Sequence, residues 1–384
     1  MTAFDLDTLR SHFPILSRCT YLNSCSLGAL SDAAEDELDD FRAQWHQRGA
    51  AAWYERWIGK LQALRERAAA AHGASPSETA LMPSVSASLS MLTESMPGAR
   101  DSGGRRRVIC SELDFPTLAY QFRVKPEIEL VPLRSPDGIG IDLDQYADAV
   151  DERTRMIATS HVFYATGFIQ DIGAIAEIAH RAGAWCVIDG YQASGQIPVD
   201  LRGSGVDAYV TGPLKWLCGG PGLAYLFVRS DRIAELNPRF TSWFAAQDQF
   251  DFDFEHFTPH DDARRFELGT PPLATVHMAL GAHTLLESVG FDTIHARDRA
   301  LTDHLVARLR EEGFALRMRD DPAHRSNIVM IRMEDEAHAV RALADAGIVV
   351  DHRPGHVRVS PHVYNTTDEL DHVVRELARI RDRA

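Results

Sequence analysis

The spacing of apolar residues changes character along this chain. Near the N-terminus it is helical. Ser31 stands as an N-cap before DAAEDELDDFRAQW, and Trp53, Trp57, Leu61 and Leu64 then share one face, so residues 31–72 predict two helices. From Glu78 onward, short apolar runs (ETALMP, RRVICSE, EIELVPL, RMIATSHVF, AWCVIDG, DAYVTG, GLAYLFVR) are separated mostly by helical stretches such as DIGAIAEIAHRAG. This alternation predicts an α/β fold: a mostly parallel seven-stranded sheet with helices on both faces. A glycine-rich link too short for a crossover helix joins the last two runs, so the final strand is expected to run antiparallel.

Residues 237–268 break the pattern, being long, aromatic and acidic with no clear period, the mark of a functional or interfacial segment. After the helical TPPLATVHMALGAHTLLESVG come a further helix, the runs ALRMR and SNIVMIRM, another helix, then GIVVDHR, HVRVS and a last helix. These form a smaller C-terminal α+β unit. The expected division is an N-terminal segment 1–30, a large domain 31–268 and a small domain 269–384.

Composition narrows the class. With 384 residues, 45% of them hydrophobic and 25% charged, the chain is globular and long enough for more than one core. A net charge of -15 opposes binding to nucleic acid or to an anionic membrane. The first residues, MTAFDLDTLR, are too acidic for a signal peptide, and no run approaches the roughly 18 apolar residues of a membrane span. The five cysteines are scattered without a CxxC or a zinc spacing, so reduced thiols, a cytoplasmic location and no metal are expected.

The candidate chemistry stands at strand ends, where α/β sheets bind ligands. WCVIDG ends in Asp189, a carboxylate that is costly at the end of an apolar strand unless it has a partner. VDAYVTG leads to Lys215, a single ammonium in an apolar, glycine-rich run. ETALMPSVSASLSML passes from strand to helix through Ser84, Val85 and Ser86, and a helix N-terminus is an anion site. Pyridoxal 5'-phosphate uses all three: a lysine for its aldehyde, an acid for its pyridinium nitrogen and an anion site for its phosphate. An apolar setting also lets a lysine lose its proton more readily. A nicotinamide-binding dehydrogenase lacks support, because no GxGxxG follows an early strand.

The stretch DGYQASGQIPVD…GVDAYVTGPLKWLCGGPG resembles the class V aminotransferase group of fold-type I pyridoxal-phosphate enzymes, which includes cysteine desulfurases, isopenicillin N epimerases and kynureninases. YLNSCSLG is similar to an N-terminal kynureninase loop that lines the active site, with Asn23 toward the substrate and Cys25 where asparagine is usual. FPTLAY resembles the segment whose phenylalanine, here Phe115, stacks on the cofactor ring. SHVFYATGFIQDI, with His161 and Tyr164, resembles the turn before the helix leading to the aspartate. FELGTPP resembles the segment whose threonine, here Thr270, reaches the neighbouring subunit's phosphate in a homodimer. DHRPGHVRVSPHVYNTTDEL is similar to the motif whose arginine, here Arg358, binds the substrate carboxylate; Arg353 is a second candidate anion contact. The matches run in order from Tyr21 to Leu370.

The resemblance implies cofactor contacts from Val85, Ser86, Phe115, Tyr164, Asp189, Tyr191, Gln192, Lys215 and Thr270, with Lys215 and Asp189 catalytic and Asn23, Trp243 and Arg358 toward an amino-acid substrate. Gly212 and Leu214 stand where the group often has phosphate-binding side chains, and Tyr191 where alanine is usual, so phosphate binding falls to Ser86, the helix start, Thr270 and Thr211. No cysteine lies between Gly347 and Arg358, where desulfurases carry their reactive one. The implied activity is a lyase or kynureninase-like hydrolase, cleaving a C–S or Cβ–Cγ bond. Transamination, then racemisation or epimerisation, follow as alternatives, and a non-enzymatic cofactor-binding relative comes last.

Overall fold

The computed structural model describes residues 4–97 and 104–383; the first three residues of the N-terminal segment and residue 384 lie outside them. All seven expected strands join one sheet, in the order Thr79–Met82, Ala224–Val228, Ala208–Thr211, Trp185–Asp189, Thr154–Ser160, Arg107–Ser111, Glu129–Leu133. Ala224–Val228 is antiparallel to both of its neighbours, as the short link before it requires, and the remaining pairs are parallel. Thr79–Met82 therefore runs with the five parallel strands. Six carboxyl ends, and the beginning of the antiparallel strand, meet at one edge.

Both faces of the sheet are covered. Along Trp185–Asp189, Cys186 and Ile188 join one buried cluster while Trp185 and Val187 join another. Ile172, Ile175, Ala176 and Ala179 of the helix Ile172–Arg181 close the first face; Leu89, Met91 and Leu92 of the helix Val85–Ser95 close the second. Each of these leucine, isoleucine and methionine side chains contributes about 1.5–3 kcal/mol when fully buried. This two-sided burial explains why the strands read as apolar runs rather than as alternating ones.

The N-terminal helices form Asp32–Arg48 and Ile58–Ala71, joined through a π-helical turn at Trp53–Trp57. Ser31 caps the first, accepting the Ala34 amide at 3.3 Å. The helix Leu273–Val289, just beyond the expected domain boundary, packs against both of them. Residues 237–268 form an aromatic strap with short 3-10 turns at Trp243–Ala245 and Ala263–Phe266, and Phe254 is 95% exposed.

The C-terminal unit is built on a three-stranded antiparallel sheet, Asp351–Arg353, His356–Val359 and Val329–Arg332. The helices Phe291–Glu311, Glu336–Asp345 and Thr367–Arg381 supply apolar side chains to its core. ALRMR is not a strand: only Leu316 bridges to Ile331. The Arg317 amide still donates to the Met330 carbonyl at 2.9 Å, but the Arg317 and Arg319 side chains reach away, to the Gly138 carbonyl and to Asp137 and Asp142. Thr20–Tyr21 pairs in parallel with Ile348–Val349, and Asn23 bridges to Ser360, so the N-terminal segment is stitched to the C-terminal unit. Among the described residues no helix is long and apolar enough to cross a membrane.

Candidate active site

A cavity of about 310 Å³ opens at the carboxyl edge of the large sheet. Its wall is assembled from strand ends. Pro83, Ser84, Val85 and Ser86 follow the first strand; Ser160, Val162 and Tyr164 follow Thr154–Ser160; Asp189, Tyr191 and Gln192 close the next. Leu214 and Lys215 come from the turn after Ala208–Thr211, and Gly222 and Leu223 from the link just before the antiparallel strand. Phe115 and Thr117 complete it at the start of the helix Pro116–Arg123.

Three parts of the chain meet at Lys215. The Gly28 amide of the N-terminal segment donates to the Leu214 carbonyl at 2.9 Å. On the other side, His362 of the C-terminal unit pairs through Nε2 with the Trp216 carbonyl at 2.9 Å. The Trp216 indole donates to Gln192 Oε1 at 3.1 Å. With its flanks held, the lysine side chain projects into the cavity, its Nζ 4.9 Å from the centre of the Tyr191 ring. Burial pulls its ammonium down to about 8.

Asp189 is paired in register with Ser160, and its carboxylate accepts the Tyr191 amide at 2.9 Å. Burial raises its pKa, against the Tyr191 amide and the charge of Lys215. Asp114 fixes the neighbouring strand ends, its carboxylate accepting the Ser111 and Ser160 amides at 2.6 and 2.7 Å and the Thr159 hydroxyl at 3.0 Å. Burial nonetheless pushes Asp114 up to about 6. Phe115 follows it directly and sets its ring edge-on to Tyr164, centroids 5.2 Å apart. Across the cavity, Ser84 caps the helix Val85–Ser95 by accepting the Ala87 amide at 3.1 Å, which leaves the Val85 and Ser86 amides at the cavity wall for a ligand.

Eight sequence candidates thus line one cavity: Val85, Ser86, Phe115, Tyr164, Asp189, Tyr191, Gln192 and Lys215. Gln192 is also committed elsewhere, since its Nε2 donates to the Cys25 carbonyl at 2.9 Å and its oxygen takes the Trp216 indole. Thr211 donates to the Gly190 carbonyl at 3.2 Å and does not line the cavity. His161 is buried with Nδ1 3.1 Å from the Tyr209 hydroxyl, and burial holds it down to about 4, which leaves it neutral. Asn23 is half-buried, its Oδ1 3.8 Å from the Cys25 thiol, Thr270 is exposed in a bend, and Trp243 is 40% exposed in the aromatic strap. Thr117 was not singled out from the sequence, although Phe-Pro-Thr carries the signal: proline at the first helical position places the threonine in the first turn.

Arg358 stands behind the wall rather than in it. It is 1% exposed, and its fork is filled: Nε donates to Asp351 Oδ1 at 2.7 Å, Nη2 to Ser26 Oγ at 2.7 Å and also to Asp351 Oδ2, and Nη1 to the Tyr164 carbonyl at 3.0 Å. Arg353 lies over the Tyr164 ring at 5.7 Å.

Amine, buried carboxylate, aromatic wall and helix start are a donor set that fits pyridoxal phosphate. Comparison with known proteins agrees. The profile of the family described as aminotransferase class-V matches residues 26–375. An uncharacterized aminotransferase of Bacillus subtilis, YcbU, is 31% identical over 369 residues, covering 96% of each chain. A kynureninase of Geobacillus thermodenitrificans is 26% identical, covering 97% of this chain and 90% of that one. Among solved structures, the cysteine desulfurase of Thermococcus onnurineus superposes with a TM-score of 0.88 at 18% identity over the whole of both chains. The cystine C–S lyase C-DES gives 0.87 at 18%, covering 95% of this chain and 99% of that one. The chain therefore belongs to the aminotransferase class-V family, with the fold of the fold-type I enzymes and pyridoxal 5'-phosphate as its cofactor.

Proposed function

We propose that this protein acts on an L-α-amino acid and cleaves a bond in its side chain, at a C–S bond by β-elimination or at Cβ–Cγ by kynureninase-like hydrolysis. The observation that carries this reading is the meeting of Lys215 and Asp189 in one cavity, the lysine pulled toward neutrality by burial. The kynureninase relatives, matched at 26% identity over nearly the full chain, support the reaction class. When bound, the cofactor draws electrons from the substrate's Cα. The protein's part is to hold and to move protons. Asp189 keeps the pyridine nitrogen protonated. Lys215 anchors the cofactor and, once free, carries a proton away from Cα. Ser86 and the amides beside Val85 hold the phosphate, and Phe115 and Tyr191 flank the ring.

In this reading Tyr164 and Gln192 border the reacting centre, and Arg358 receives the substrate carboxylate as Asp351 yields its place. Asn23 and Trp243 close the substrate side, and Thr270 reaches the phosphate of a second copy in a homodimer. Desulfurase chemistry is not part of the reading, because the segment 347–358 contains no cysteine. Transamination is the second reading, favoured by the 31% identity to a relative named as an aminotransferase.

A panel of amino acids offered to the purified holoenzyme separates the two. Ammonia, thiol or alanine released without an amino-group acceptor supports side-chain cleavage. Keto acid formed only with an acceptor makes the protein a transaminase. A protein that takes up no added cofactor and shows no visible absorbance band would falsify the reading as a whole.

A further inference from the structure

Tyr191 does more than line the cavity. Its amide is fixed to the Asp189 carboxylate, so its side chain enters at the sheet edge beside Lys215. The ring then runs over Gly212. A Cβ at Gly212 would stand 2.7 Å from Tyr191 Cε2, 3.2 Å from the Tyr191 hydroxyl and 2.7 Å from the Leu223 carbonyl. The phenol occupies the space that a side chain at 212 would fill, and it brings a hydroxyl there. That hydroxyl has no hydrogen-bond partner among the described residues. A half-buried hydroxyl in a ligand cavity with no protein partner is a donor waiting for one.

The neighbouring donors are few. Gly212 has no side chain and Leu214 is apolar. The Thr211 hydroxyl is given to the Gly190 carbonyl, and the Ser84 oxygen caps the helix. Between the lysine turn and the start of the helix Val85–Ser95, Ser84, Ser86 and Tyr191 line the cavity with hydroxyl protons that no group among the described residues accepts. A phosphate at that helix start has three oxygens, each able to accept more than one hydrogen bond, so the first-turn amides and two serines leave room for a further donor from the opposite wall.

We propose that Tyr191 donates its hydroxyl to the cofactor phosphate, taking over from the side chain that Gly212 lacks. The inference rests on pyridoxal phosphate occupying this cavity. Burial pushes the phenol up to about 12, so it carries its proton at neutral pH and serves as a donor. Tyr191 and Gly212 then form one device: the larger residue at 191 is possible only because 212 is glycine.

The test titrates the apoprotein with pyridoxal phosphate and with pyridoxal, which lacks the phosphate, and follows the visible band. Tyr191→Phe keeps the ring over Gly212 and removes a hydroxyl with no protein partner, so the apoprotein is expected to melt as the parent does. Its Kd for pyridoxal phosphate is expected to rise about ten- to hundredfold, the range for one hydrogen bond to a charged group, with its Kd for pyridoxal unchanged. Equal weakening of both ligands, or no weakening of either, overturns the proposal. Because the unsubstituted protein is titrated alongside, its own failure to bind pyridoxal phosphate would fall on the assignment of the cavity rather than on the tyrosine.

Discussion

Asp351 and Arg358 face each other across the C-terminal hairpin as register partners, and the carboxylate takes the guanidinium side-on through Nε and Nη2. Ser26 bridges them, donating to Asp351 Oδ2 at 2.6 Å while accepting from Arg358 Nη2. One arginine thus ties the N-terminal segment, the Tyr164 turn and the C-terminal sheet together. Arg358→Lys keeps the charge but not the planar fork. Stability is expected to fall by about 2 kcal/mol, read as a lower urea midpoint at constant slope. If the same fork also receives the substrate carboxylate, KM rises more than kcat falls, and an amide of the substrate is insensitive to the change. An unshifted midpoint would show that the fork is not the tie described.

Lys215 sets a pH window for cofactor capture. An ordinary lysine frees its amine near pH 10.4, whereas burial brings this one down to about 8. The rate at which the apoprotein attaches pyridoxal phosphate is expected to climb with pH and level off above about 8. Stopped-flow absorbance checks this. A rate still climbing toward pH 10 would mean that the amine is better solvated than its place in the cavity implies.

Asp189 illustrates a conflict between function and stability. Its raised pKa means that the native state binds a proton more tightly than the unfolded one. The ionised group therefore costs stability as pH rises past its unfolded value. Asp189→Asn is expected to leave the apoprotein melting at the same temperature or higher at neutral pH, while turnover falls roughly 100-fold or more. Calorimetry on the apoprotein and a turnover assay on the holoenzyme report the two halves separately.

The same contrast explains what the sequence made legible. The seven strands were readable because burial on both faces removes polar residues from them, and Lys215 and Asp189 because each interrupts such a run at its end. The antiparallel strand followed from the length of one link. ALRMR misled because its apolar spacing suits a strand, while Arg317 is drawn to the Gly138 carbonyl and Arg319 to Asp137 and Asp142, far back in the chain. The filling of Arg358 by Asp351 and Ser26 depends on a contact 332 residues apart, which no local pattern encodes. Gln192 lines the cavity, and its amide also joins Cys25 to Trp216, a link through distant partners that no local pattern encodes.

His362 gives the lysine turn its own dependence on pH. The imidazole is fully buried between Asp298, 2.8 Å from Nδ1, and the Trp216 carbonyl, 2.9 Å from Nε2. Burial opposes its charge, but the Asp298 carboxylate overcomes that and raises it to about 10. A histidine whose folded pKa exceeds its unfolded one, about 6.5, stabilises the native state fully below that lower value. The contribution is lost as pH rises toward 10, and the loss is on the order of a few kcal/mol. Denaturant midpoints are therefore expected to decline between pH 6.5 and 10. His362→Gln should begin less stable at pH 6 and lose that part of the decline. Because Trp216 adjoins Lys215, loosening the imidazole also frees the turn that aims the amine, so cofactor affinity should weaken over the same alkaline range. A variant whose pH profile matches the parent's would show that the Asp298–His362 pair carries no net charge interaction in the native state.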